Sequence, residues 1–119
     1  MINIFYVGAG GFLGASLRFL ISNLIKSDFP FATLISNVVA CFLIGFIMTL
    51  ANKNIDFPYN LKIFLVTGFL GGLSTFSSFS YETVTLANFN LIQSFANIIL
   101  NLSLCVLFTL TGIKIALTI

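Results

Sequence analysis

Four long apolar stretches fill the chain, and within them the small and polar residues return at helical steps rather than at random. A membrane helix needs about 20 mainly apolar residues, and the stretches 2–25, 31–51, 61–87 and 92–119 each meet that length. The second carries Thr33, Asn37, Cys41 and Gly45 four residues apart, and the fourth repeats the spacing with Asn97, Asn101, Cys105 and Thr109. Such steps stay on one helical face. The first has Gly10 and Gly14 as a GxxxG pair, with Gly11, Ala15, Arg18 and Ser22 on a neighbouring strip. The pattern predicts an all-α integral membrane protein of four transmembrane helices, forming one domain over 1–119. Its connections are short, with Pro30 and Pro58 just ahead of the second and third spans, where a missing N–H costs least.

The third stretch differs from the others. Between Gly68 and Ser80 it places three glycines and five hydroxyl residues inside an otherwise apolar span. Glycine loosens a helix and hydroxyls satisfy freed backbone groups. Irregular backbone at membrane depth is tolerated only where it is buried in protein or lines a cavity. The expectation is a third helix broken mid-span, of the kind that marks an ion or substrate site. The sequence Gly-Phe-Leu-Gly occurs at Gly11 and again at Gly68, which in a glycine-rich membrane chain reads as coincidence rather than as a repeat.

Composition sharpens this picture. Of 119 residues, 59% are hydrophobic and 7% charged, which excludes an ordinary soluble domain. The net charge of +2 is spread along the chain, so nucleic acid is not an expected partner. Histidine is absent, and no nucleophile, base and stabiliser stand together, so no enzyme is indicated. Cys41 and Cys105 read as small buried thiols, with no further thiolate or imidazole to complete a conventional metal site. The amino-terminal stretch lacks a basic leader region and outruns a signal peptide's apolar core, so it is expected to be retained as a span. With the amino terminus in the cytoplasm, Lys53, Lys62 and Lys114 fall on that side and Arg18 and Lys26 on the other. Near balance of Lys and Arg permits insertion both ways up, hence an antiparallel, dual-topology dimer. The competing reading is one orientation, set weakly or by a partner.

The polar stripes carry two readings: close helix packing with interhelical hydrogen bonds, or the lining of a polar route. Arg18 and Glu82 are the charges least easily placed in a loop, and uncompensated charge within the bilayer is expensive. Arg18 either snorkels or holds an aqueous vestibule positive. Glu82 either faces such a vestibule or has a structural partner. Phe76 and Phe79 are three apart, on one face of a resumed helix. Rings turned edge-on to a path offer weak positive potential without a full charge, which suits a small anion that must be admitted and released. The alternative is that they pack, as most of the 15 phenylalanines do.

Three blocks resemble a known family: Gly10-Gly11-Phe12-Leu13-Gly14-Ala15-Ser16-Leu17-Arg18-Phe19, then Thr33-Leu34-Ile35-Ser36-Asn37, then Gly68 through Ser80 followed by Glu82. Over essentially its whole length the chain resembles the small fluoride channels of the CrcB or Fluc family. The resemblance implies an antiparallel homodimer in the cytoplasmic (inner) membrane, with two fluoride pathways and passive export of accumulated fluoride. It implies a structural sodium ion at the dimer interface, held by backbone carbonyls of Gly71 and Ser74 from both copies. It also implies that Phe76 and Phe79 supply aromatic edges, Asn37 an amide donor, and Thr75, Ser77 and Ser80 hydroxyls near the path, with Arg18 at an aqueous entrance. Ala32 and Ser36 depart from the family's usual glycine and small aliphatic residue. The family's fourth-span tyrosine and hydroxyls have no clear counterpart, leaving Asn97 and Asn101 as the polar candidates there.

Two rival functions remain. A small dual-topology multidrug exporter shares the length and the span count but needs a membrane-embedded carboxylate, normally in its first span, and that span has none. A non-transporting membrane subunit would leave the glycine and hydroxyl run without a purpose.

Overall fold

The computed structural model describes residues 1–119 and is helical throughout, without strands. Lipid offers no hydrogen bonds to a bare backbone, so a spanning chain must pair its peptide groups internally. Here 82 of 94 backbone hydrogen bonds lie within helices. Helix α1 spans Ile2–Leu24 and α2 spans Phe31–Lys53. Next come α3 (Tyr59–Lys62), a π-helical segment (Ile63–Leu70) and a last turn α4 (Gly71–Leu73), which run on as one rod from 59 to 73. Helix α5 spans Phe76–Ala87 and α6 spans Leu91–Thr118. Four helical stretches are long and apolar enough to cross a membrane: α1, α2, Tyr59–Ala87 and α6. The longest dimension, 50 Å, exceeds the apolar thickness of a bilayer, about 30 Å.

Helix ends follow local chemistry. Pro30 and Pro58 precede α2 and α3, and the Asn90 side chain accepts from Ile92 N and Gln93 N to cap α6. Helix α2 runs past Ala51 to Lys53, whose ammonium donates to Ala116 O at 3.0 Å and ties the ends of α2 and α6 together.

Packing follows two pairs of parallel helices. Helix α1 lies along the 59–73 rod and α2 lies along α6, while α5 leans on α6. Both long contacts are made through glycine. A Cβ on Gly14 would strike Phe69 O, and one on Gly68 would come within 2.6 Å of Val7 O. Across the other pair, a Cβ on Gly45 would strike Thr109 O and one on Gly112 would strike Phe42 O. None of these glycines has a positive φ, so the requirement is close approach of backbones, the usual means of joining helices in lipid. The two Gly-Phe-Leu-Gly sequences belong to the first of these seams, where Gly11 O faces Gly72.

Only 17 of 119 residues are buried, so a single chain presents apolar side chains over most of its surface. Ala40, Leu70 and Leu73 form a small core, whereas Ser36, Asn37, Ser94, Asn97 and Asn101 are buried polar residues. The centre of the helix cluster is therefore unusually polar.

Candidate functional site

Helix geometry stops at Leu73 and resumes at Phe76, with Ser74 at φ −85°, ψ 150° and Thr75 at φ −149°, ψ 122°. Any residue adopts such extended angles, so both residues are unstrained; Ser74 N still bonds Leu70 O at 3.0 Å, but Thr75 leaves the helical ladder and needs other partners. Asn37 on α2 supplies them. Its side-chain oxygen accepts from Thr75 N at 2.7 Å, and its amide donates to Thr75 O at 3.1 Å. Thr75 then caps α5 by accepting from Ser78 N at 3.2 Å, and Arg18 donates through Nε to Gly72 O at 3.0 Å. Ser74 turns its hydroxyl back onto Leu70 O.

From Asn37 a ladder of side chains continues through the interior. Asn37 also donates to Asn101 Oδ1 at 3.3 Å, and Asn101 donates to Asn97 Oδ1 at 3.0 Å. Asn97 donates to Thr83 Oγ1 at 2.9 Å, whose hydroxyl donates to Phe79 O at 2.7 Å. Ser94 joins by donating to Thr83 O. Each amide donates in the same sense, so the ladder has a direction, and buried polar networks of this kind hold only when every member is satisfied. Asn97 and Asn101, candidates for a polar route, occupy its middle. Thr83 and Ser94 were not singled out from the sequence. Thr83 stands one turn beyond Phe79, and Ser94 one turn before Asn97, which is the spacing that would have found them.

Beside the ladder lies a hollow of about 270 Å³ walled by Asn37, Thr75, Phe76, Phe79 and Asn101, with Cys41 and Cys105 also on its lining. The Phe76 and Phe79 rings meet edge to face, with centroids 5.3 Å apart and planes at 61°. Phe79 is buried, whereas Phe76 is 73% exposed on the single chain. Of the expected pathway residues, Asn37, Thr75, Phe76 and Phe79 therefore come together. Ser77 is exposed and hydrogen-bonded to Thr75 Oγ1 at 3.1 Å, and Ser80 is half-buried outside the lining.

Arg18 and Glu82 share a second hollow, of about 310 Å³, with Ser22, Thr33 and Ser78. Thr33 donates to Glu82 Oε1 at 2.6 Å, while Oε2 is buried without a protein partner. Ser22, Thr33 and Glu82 also line a wider hollow of about 830 Å³ that opens beside the loop of Lys26 to Pro30. Gly71, expected to offer a carbonyl to sodium, is exposed, and Ser74 is half-buried at the end of the rod.

Four membrane-capable helices, a buried amide ladder and an aromatic-walled hollow beside a pair of extended residues define a multi-pass helical membrane protein with a polar interior. The chain belongs to the CrcB family: the family model described as CrcB-like protein, Camphor Resistance (CrcB), matches residues 5–113. It is 50% identical to a Clostridium perfringens protein (strain ATCC 13124) named "Fluoride-specific ion channel FluC", over 92% of this chain and 90% of that one. Proteins of the same name from Campylobacter fetus and Ruminiclostridium cellulolyticum are 49% and 42% identical, covering 92% and 100% of this chain and 89% and 95% of their own lengths.

Proposed function

We propose that this chain forms a fluoride-selective channel that lets accumulated fluoride leave the cell passively across the cytoplasmic membrane. The observation that carries the reading is the edge-to-face pair Phe76 and Phe79 on the wall of a hollow whose other side is the Asn37 clamp on Thr75. Ring edges give a small, strongly hydrated anion weak positive potential, and the Thr75 hydroxyl on the same wall replaces part of its water. Arg18, in the hollow it shares with Glu82, raises the local anion concentration at an entrance.

On this reading the third span is broken at membrane depth, and two copies insert in opposite orientations as an antiparallel homodimer. Support comes from the near balance of basic residues and from the placement of Phe76, exposed on one chain where a second copy would enclose it. The same arrangement brings two rod ends together. Carbonyls in a last helical turn lack intrahelical donors. Arg18 takes that of Gly72, and on this reading the carbonyl of Gly71 and that of Ser74, just beyond the turn, would hold sodium between the two copies. The multidrug-exporter reading is disfavoured because Glu82, the one acid in the membrane-capable helices, lies on the third span and is held by Thr33.

The test is fluoride efflux from liposomes containing only the purified protein, read with a fluoride electrode. Rapid efflux in fluoride and none in chloride is the expected outcome. Proton-coupled export of organic cations, or no flux at all, would remove the proposal.

A further inference from the structure

Cys41 and Cys105 were set aside in the sequence as buried thiols, but the register of α2 against α6 brings them face to face. The helices are parallel, and their facing residues keep one offset. Asn37 bonds Asn101, 64 positions further on, and two turns later Gly45 lies against Thr109 O at the same offset. Cys41 and Cys105 occupy the turn between, with the same offset, where the helix backbones are drawn together by Gly45. Both thiols are free, and both line the Phe76 and Phe79 hollow. No third His, Cys, Asp or Glu stands near enough to complete a higher-coordinate metal site.

We propose that Cys41 and Cys105 form a two-thiol site for a soft, two-coordinate cation such as mercury(II), silver(I) or copper(I), and that filling it obstructs the hollow beside Phe76 and Phe79. Thiolate sulfur selects soft metals, and ions of this class accept two ligands from opposite sides, which parallel helices at one register can supply. Binding of mercuric chloride breaks two S–H and two Hg–Cl bonds, forms two S–Hg bonds and releases two protons and two chloride ions to water, with no change of oxidation state. The mercury bis-thiolate carries no net charge, so the ion acts through its bulk, which narrows the hollow where Phe76 and Phe79 would hold an anion. Only the obstruction rests on the fluoride-channel reading; the metal site does not.

The probe is mercuric chloride on the full-length purified protein, compared with Cys41→Ser and Cys105→Ser. Detergent-solubilised wild type should hold one mercury per chain through a wash with excess glutathione, and both cysteines should then resist maleimide. Each single variant should lose at least tenfold more metal in the same wash, because one thiol cannot chelate. In liposomes, mercury should slow fluoride efflux from wild type, a dithiol should restore it, and the concentration for half-inhibition should rise at least tenfold in either variant. Where a serine variant fails to assemble, Cys41→Ala takes its place. Two mercury ions per chain, or equal retention by wild type and variants, would overturn the site. Undiminished efflux with the site filled would overturn the obstruction. A wild type that never conducts fluoride would defeat the channel reading and leave the binding result standing.

Discussion

Asn37 uses both amide hydrogens and its carbonyl oxygen at once, which distinguishes it from a side chain waiting for a ligand. Its contribution is to hold the extended backbone at Thr75 and so to fix the start of α5, from which Phe76 and Phe79 project. Replacing Asn37 by Asp keeps the acceptor for Thr75 N but removes the donors to Thr75 O and Asn101. Fluoride efflux from Asn37→Asp should fall by at least tenfold, with a lower melting temperature than the parent. Asn101→Leu should act through the same ladder. It strips Asn37 of one acceptor and Asn97 of its donor, and leaving buried polar groups unpaired costs about 1–3 kcal/mol. Differential scanning fluorimetry in detergent measures that loss. The rings themselves are tested by Phe76→Ile and Phe79→Ile, which keep apolar bulk and lose the quadrupole. Each should sharply reduce efflux while the protein elutes like the parent in size-exclusion chromatography, and parent-like conduction in both would reduce the rings to packing.

At the scale of the element, the glycine seams are the least forgiving feature. Gly14 sits against Phe69 O and Leu73 N, and Gly45 against Thr109 O, so a larger side chain meets backbone, which cannot rotate away. Overpacking of this kind typically costs about 1–3 kcal/mol and more where backbones must part. Gly14→Val and Gly45→Val should each reduce the yield of folded protein in detergent, whereas Gly8→Val, with open space around its Cβ position, should not. The four long helices were legible in the sequence because hydropathy over about 20 residues is a strong signal in lipid, and the four-residue stripes marked the faces that meet. What those faces do was not legible. The same spacing serves a packed ladder or an open route, and Asn37 both clamps Thr75 and lines the hollow, which no spacing announces. The partners of Arg18 and Glu82 were hidden for a similar reason, since Gly72 O and Thr33 lie on other helices and no local pattern announces a bond across 54 or 49 positions. The π-helical rod was equally silent: its glycines signalled irregularity without its form.

On the scale of the whole molecule, the balance of basic residues predicts comparable insertion in both orientations. A reporter fused after Ile119 should be detected on both faces of the membrane, and lysines added to the loop between α2 and α3 should confine it to one face and reduce the active fraction. The order in which the helices pair has a separate consequence, for biosynthesis. Helix α1 packs chiefly on the third span and α2 chiefly on the fourth, so each pair is interleaved with the other along the chain. As the ribosome delivers the spans in turn, α2 enters the membrane with Gly45 and one amide hydrogen of Asn37 uncovered, and both wait for α6. Contacts between segments far apart in sequence form late, and an incompletely paired membrane segment is a substrate for quality control. A message truncated after Asn90 should therefore yield a product that inserts but is degraded within minutes, as a pulse-chase would follow. The protein's survival in the cell thus depends on translation passing through α6.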